Sequence, residues 1–180
     1  EVPGSRDWLI HCGSLSKILS PGLRLGWMTA PAPLLAQAVM CKQFSDANTS
    51  AFAQAVAANY LAAGHLGQAL ENARRVYARR ARVMGQALHE QLGQAIAFTP
   101  PQGGLFIWAR LTGAGGALAD GAALAPRAIA QGVAFVPGAP FFAAQPDIAT
   151  LRLSFATAGE DDIREGVARL ARALHGAQTA

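Results

Sequence analysis

Between Gly64 and Gly93 apolar residues recur at Leu66, Leu70, Ala73, Tyr77, Met84, Leu88 and Leu92. Spacings of three, four and seven put them on one face of a helix, so a single long helix is expected over residues 65–92. Arg74, Arg75, Arg79, Arg80 and Arg82 interrupt that pattern and form the polar side of the same helix. Glu71, four residues before Arg75, supports it locally. A helix of this length divides the chain into residues 1–64, the helix at 65–92, and residues 93–180. The arginine cluster also accounts for much of the net charge of +4. No aromatic residues interleave with it as stacking platforms, so it reads as a solvated face rather than a nucleic-acid patch.

The flanking segments combine strands and helices. Trp8 to Cys12 suits a buried strand, with His11 as a core histidine. Leu23 to Ala30 is a second strand, and Pro31-Ala32-Pro33 opens a helix to about Phe44. Asp46, Asn48 and Thr49 are capping types ahead of an alanine-rich helix to about Ala63. Beyond Gly93, strands are expected at 95–99, 105–111, 133–136 and 150–156, with helices at 120–131 and 160–174. Pro100 to Gly104 and Pro137-Gly138 are turns, and Gly113 to Gly116 is a flexible loop. Phe106 and Trp108 are expected in the core. Leu151, Leu153 and Phe155 share one strand face, while Ile163, Val167, Leu170 and Leu174 line the core side of the last helix. Glu160, Asp161 and Asp162 complement that helix's N-terminal dipole. The fold class is α/β: strand, turn and helices first, the long helix next, then a small domain with a mixed sheet and two helices.

With 52% hydrophobic and 14% charged residues, the 180-residue chain has the material for a core. No apolar run approaches the roughly 18 residues of a membrane span. Cys12 and Cys41 sit in apolar contexts without metal-type spacing and read as buried thiols of a reducing cytoplasm, with a disulfide as the lesser alternative. His65 and His89 fall on the long helix and His175 near the end, so no metal grouping is expected. The sequence opens on Glu1 rather than methionine and reads as part of a longer protein.

The chemistry concentrates in Gly13-Ser14-Leu15-Ser16-Lys17, followed by Ser20-Pro21-Gly22-Leu23-Arg24-Leu25-Gly26-Trp27. Lys17 is one of only two lysines, against thirteen arginines. An imine-forming lysine must shed a proton despite an ordinary pKa of about 10.4. Apolar burial and a nearby cation such as Arg24 both favour the neutral amine. Ser14, Ser16 and Arg24 are the hydroxyls and forked cation that hold a phosphate dianion. A lysine beside a phosphate anchor is what pyridoxal 5'-phosphate requires. Taken on residues alone, an ordinary exposed loop lysine remains the competing reading.

Gly13 to Trp27 closely resembles the cofactor-lysine segment of class I/II aminotransferases, the fold-type I pyridoxal-phosphate enzymes. Within them it is most similar to the branch holding 2-aminoadipate and aromatic aminotransferases. The resemblance continues through Cys41-Lys42-Gln43-Phe44-Ser45-Asp46, Asn48-Thr49-Ser50 and Gln54. It runs on through Gly103-Gly104-Leu105-Phe106-Ile107-Trp108, Gly132-Val133, Pro137-Gly138, Phe141 and Leu151-Arg152-Leu153-Ser154-Phe155. The order and spacing of these tracts cover nearly the whole chain. The resemblance implies that Lys17 is catalytic, bonding the cofactor and shuttling a proton at the substrate's α-carbon. It makes Ser14, Ser16 and Arg24 the phosphate ligands and Arg152 the grip on the substrate's α-carboxylate. An exposed charge on a strand's outer face is the alternative for Arg152.

The resemblance further implies that residues 1–64 are a remnant of a large cofactor domain, joined by the helix at 65–92 to the small domain at 93–180. The family's glycine-containing phosphate loop, ring-stacking aromatic and pyridine-binding aspartate have no counterpart in residues 1–12. The isolated chain is therefore expected to be inactive, to bind cofactor weakly and to self-associate, its parent being a cytoplasmic homodimer. The implied reaction moves an amino group between an α-amino acid and a 2-oxo acid. One alternative is the aminotransferase-like effector body of a winged-helix transcription regulator, which touches nucleic acid only through an upstream DNA-binding domain; another is lyase or decarboxylase chemistry on the same scaffold.

Overall fold

In the computed structural model, which describes residues 4, 7–114 and 118–176, the chain forms two compact units, Glu1–Ala73 and Arg74–Ala180. The first begins with an antiparallel hairpin of β1 (His11–Ser14) and β2 (Gly26–Thr29). The strand expected from Trp8 starts only at His11. Trp8, Leu9 and Ile10 are exposed, as are His11 and Cys12, and Cys41 is an exposed free thiol. Against expectation, His11 and Cys12 lie on a two-stranded ribbon that is mostly exposed, and Cys41 lies on the helix at 32–46, none of whose residues is buried. Helix α1 (Ala32–Asp46) follows Pro31 and has no buried residue. Helix α2 (Ala51–Ala62) is capped by Ser50, whose side chain accepts from the Ala53 N–H, rather than by the earlier polar residues. Leu15 and Leu25 pack with Ala53 and Ala57 into a small cluster, with Leu19 and Leu23 at its edge.

The division between the units falls inside α3 (Leu66–Leu92), a single continuous helix as its periodicity requires. In the second unit, β3 (Ile96–Phe98), β4 (Phe106–Leu111), β5 (Val136–Pro137) and β6 (Thr150–Ser154) form one sheet in the order β3-β4-β6-β5. Every pairing among the described residues is antiparallel, so the sheet is not mixed. The expected strand at 133–136 shrinks to Val136–Pro137. The Val133 N–H instead closes the end of α4 (Gly121–Ala130) by donating to the Ala128 carbonyl. Of the loop expected at 113–116, residues 115 and 116 lie outside the described residues.

Strict alternation in β4 sends Ile107, Ala109 and Leu111 to one face, joined there by Leu151 and Leu153 of β6. That face packs with Val83, Met84 and Leu88 of α3, Leu124 and Ala128 of α4, and Val167, Leu170 and Leu174 of α5 (Glu160–His175). Burying each of the valine, leucine, isoleucine and methionine side chains contributes about 1.5–3 kcal/mol. The polar side of α3 is more than solvated: Arg79 pairs with Glu160, and Arg80 donates to the Ala156 carbonyl. The other sheet face carries Phe106, Trp108, Arg110, Arg152 and Ser154 and has no helix layer of this core over it.

Candidate functional site

The β1–β2 ladder sets Gly13 opposite Trp27 and Ser14 opposite Gly26. A Cβ on Gly13 would lie 2.1 Å from the Trp27 ring, so this position accepts only glycine while the indole stays where it is. Beyond the ladder the Leu15 N–H donates to the Leu25 carbonyl at 3.0 Å, and the Leu15 carbonyl accepts from Ile18, Leu19 and Ser20. Two buried leucines thus pin the base of a tight turn, and the polar residues between and beside them face outward. Ser14 Oγ accepts from the Ser16 N–H at 3.1 Å and donates to the Leu25 carbonyl at 3.4 Å. Arg24 adopts a left-handed backbone, φ 54° and ψ 38°, and its Nη1 donates to the Pro21 carbonyl.

Lys17 is exposed and has no hydrogen bond or ion pair among the described residues. The apolar wall expected around it is therefore not present within this unit, because the Trp8–Ile10 run is itself solvent-facing. Lys42, by contrast, is tied to Asp46 at 2.8 Å. No aspartate or glutamate occurs between Asp7 and Asp46, so no local carboxylate along this stretch competes for the cations. Ser14, Ser16, Lys17 and Arg24 thus stand along one exposed turn, with the Ser14 hydroxyl turned to the Leu25 carbonyl and one Arg24 nitrogen bound to the Pro21 carbonyl.

Arg152 belongs to the second unit. It sits on β6 opposite Trp108 of β4 and Val136 of β5, on the open sheet face. Its guanidinium carbon lies 4.5 Å from the Phe106 ring centroid and 4.6 Å from that of Phe141. Its Nε is buried and has no hydrogen-bond partner among the described residues. Trp108 meets Phe141 edge-on at 5.7 Å and Phe142 at 6.1 Å. Phe106 and Trp108, expected in the core, are 37% and 41% exposed instead. The register that buries Ile107 and Ala109 turns them the other way. The enclosure of Arg152 by Phe141 was not foreseen, although strand parity already put Phe106, Trp108 and Arg152 on one face.

Near the edge of this face the Arg110 Nε donates to Asp147 at 2.7 Å, and that bond holds the Asp147 carboxyl below its ordinary range. An open cavity of about 860 Å³ runs along α3 past Tyr77, Arg82 and Gln86 to Phe98 and the Gly103-Gly104 loop. No cluster of histidine, cysteine or carboxylate side chains among the described residues is able to hold a metal ion.

Residues 4–170 match the family described as aminotransferase class I and II. The chain belongs to that family. It is 42% identical over 168 residues to the 2-aminoadipate transaminase of Thermus thermophilus, covering 93% of this chain and 41% of that one. The crystal structure of the α-aminoadipate aminotransferase from that organism, complexed with N-(5'-phosphopyridoxyl)-L-leucine, superposes with a TM-score of 0.85 at 41% identity. It covers 93% of this chain and 42% of that one. The regulator TauR of Rhodobacter capsulatus, of the helix-turn-helix type, is 35% identical over 167 residues, 92% of this chain and 34% of the regulator. This aminotransferase chain thus spans about two-fifths of the length of the transaminase relatives it matches.

Proposed function

We propose that this chain is the lysine-bearing part of a pyridoxal-phosphate-dependent transaminase that moves an amino group between an α-amino acid and a 2-oxo acid. The observation that carries the reading is Arg152, a half-buried guanidinium with a dry, unpartnered Nε on an open sheet face. A buried unmet donor costs about 1–3 kcal/mol. A substrate carboxylate supplies the missing acceptor and matches the planar fork of arginine, which lysine cannot reproduce.

The β1–β2 turn fits pyridoxal phosphate by the chemistry of its donors. Ser14, Ser16 and Arg24 would hold the phosphate, with no neighbouring carboxylate in the sequence to repel it. When bound, the cofactor supplies an aldehyde and an electron-accepting ring. Lys17 Nζ, engaged by no carboxylate among the described residues, would bond that aldehyde and would take and return the proton of the substrate's α-carbon.

The test is to reduce a mixture of the chain and pyridoxal phosphate with borohydride and map the modified lysine. The expected result is preferential labelling of Lys17 over Lys42, suppressed by inorganic phosphate and absent in Lys17→Ala. Equal labelling of both lysines, indifferent to phosphate, would overturn the assignment. The isolated chain should bind the cofactor weakly, and a stoichiometric complex at micromolar cofactor would contradict that expectation. An amino-donor screen of the intact enzyme, repeated with Lys17→Ala, then tests the reaction itself.

We place this enzyme in the cytoplasm as a homodimer. Among the described residues no helix is long and apolar enough to cross a membrane, and Trp8, Phe44 and Phe52 leave apolar surface for association. A sedimentation profile that stays monomeric at high concentration would remove the dimer. The likeness to TauR supports a second reading, in which the same body is the effector part of a transcription regulator. A basic helix-turn-helix on the same polypeptide would decide for it.

A further inference from the structure

We propose that Phe106 and Phe141 are positioning residues that clamp the Arg152 guanidinium and fix the plane in which it receives a carboxylate. The proposal rests on the reading of Arg152 as the carboxylate site and adds two residues that act through it.

Strand β6 lies between β4 and β5. Phe106 is paired with Ser154, two residues along from Arg152, so its ring reaches the guanidinium diagonally from the β4 side. Phe141 ends the short helical turn Ala139–Phe141 just after β5 and reaches it from the opposite flank. Both rings lie well inside the roughly 6 Å over which a cation is held by an aromatic face. The edge contact of Trp108 with Phe141 braces the second ring.

A long arginine side chain that reaches freely for a carboxylate loses rotamer freedom on binding, whereas one already held has less to lose. The two rings also displace water from the guanidinium's faces and leave its donor edges as the place where an anion can bind. Nε is already dehydrated and unsatisfied, which sharpens that preference. The neighbouring cation on this face, Arg110, is engaged by Asp147 and does not compete for the ligand.

The test uses the full 180-residue chain labelled with ¹⁵N-arginine and follows the Arg152 Nε–H signal by NMR. Two quantities are read: guanidinium rotation in the free chain, and the shift on titration with 4-methyl-2-oxopentanoate, with inorganic phosphate as control. Phe106→Leu and Phe141→Leu keep apolar bulk and remove the ring face, and both positions are partly exposed. Each should speed the rotation and weaken binding of the oxo acid by about two- to fivefold, the worth of one exposed cation–π contact. Phe141→Tyr, which keeps the ring, should restore both quantities. Leucine variants with unchanged rotation and affinity would sink the clamp, and if Arg152→Ala then abolished binding the carboxylate reading would survive alone. Unchanged binding in Arg152→Ala would remove the carboxylate reading itself.

Discussion

Arg24 occupies a left-handed conformation that costs a non-glycine residue about 1–2 kcal/mol, yet the position holds a guanidinium rather than a glycine. Among the described residues its side chain makes one bond, to the Pro21 carbonyl at 3.3 Å. The residue is therefore better suited to an anion than to the turn. Arg24→Gly should leave the melting temperature unchanged or raised, while inorganic phosphate loses its protection of Lys17 against reductive labelling. Gly13 makes the opposite case, since its place under the Trp27 ring is purely steric. Gly13→Ala should drive the indole outward, seen as a red shift of tryptophan emission. The identities at this turn were legible because hydroxyls, lysine and arginine sit within eleven positions of one another. The solvent exposure of Lys17, His11, Cys12 and Cys41 was not, because burial depends on what lies across a sheet rather than along the chain.

Helix and strand placement followed periodicity closely where the period was sustained. α3 runs from Leu66 to Leu92, and α5 buries Ile163, Val167, Leu170 and Leu174 as its spacing requires. Hydrophobicity misled at Phe106 and Trp108, where strand parity with Ile107 and Ala109 was the better guide. At α4 the Asp120 side chain accepts from the Ala122 and Ala123 N–H groups, so Asp120→Ala should cost about 0.5–2 kcal/mol in thermal unfolding. Gly138 lies so close to Thr150 that a Cβ would fall 2.1 Å from its Oγ1 and 3.0 Å from its backbone carbon. Gly138→Ala should therefore destabilise the β5–β6 junction by about 1–3 kcal/mol, with a lowered melting temperature as the readout. The Arg110–Asp147 pair adds an acid dependence. The carboxyl is depressed below its ordinary 3.8, so its contribution is complete above that value and is lost as pH falls through the lower folded one. Asp147→Asn should flatten the fall in melting temperature between about pH 5 and pH 2.

Across the molecule the two units differ sharply in what they bury. The core of the second runs continuously from Val83 to Leu174 and includes Phe155, Leu88 and Ile107, all nearly inaccessible. Among the described residues the first buries only Leu15, Leu25, Ala53 and Ala57. Local opening energies follow buried apolar contact, so amides of β1 and β2 should exchange with deuterium well before those of β4 and β6. Comparable protection in both sheets would contradict this ranking. Phe44 and Phe52, 88% and 80% exposed, belong to the weaker unit, as do Trp8 and Leu9. Once that unit loosens on heating, its greasy surfaces will find other molecules faster than they find their own partners. The apparent transition in calorimetry should then move upward with faster scanning, and a cooled, reheated sample should show a diminished peak.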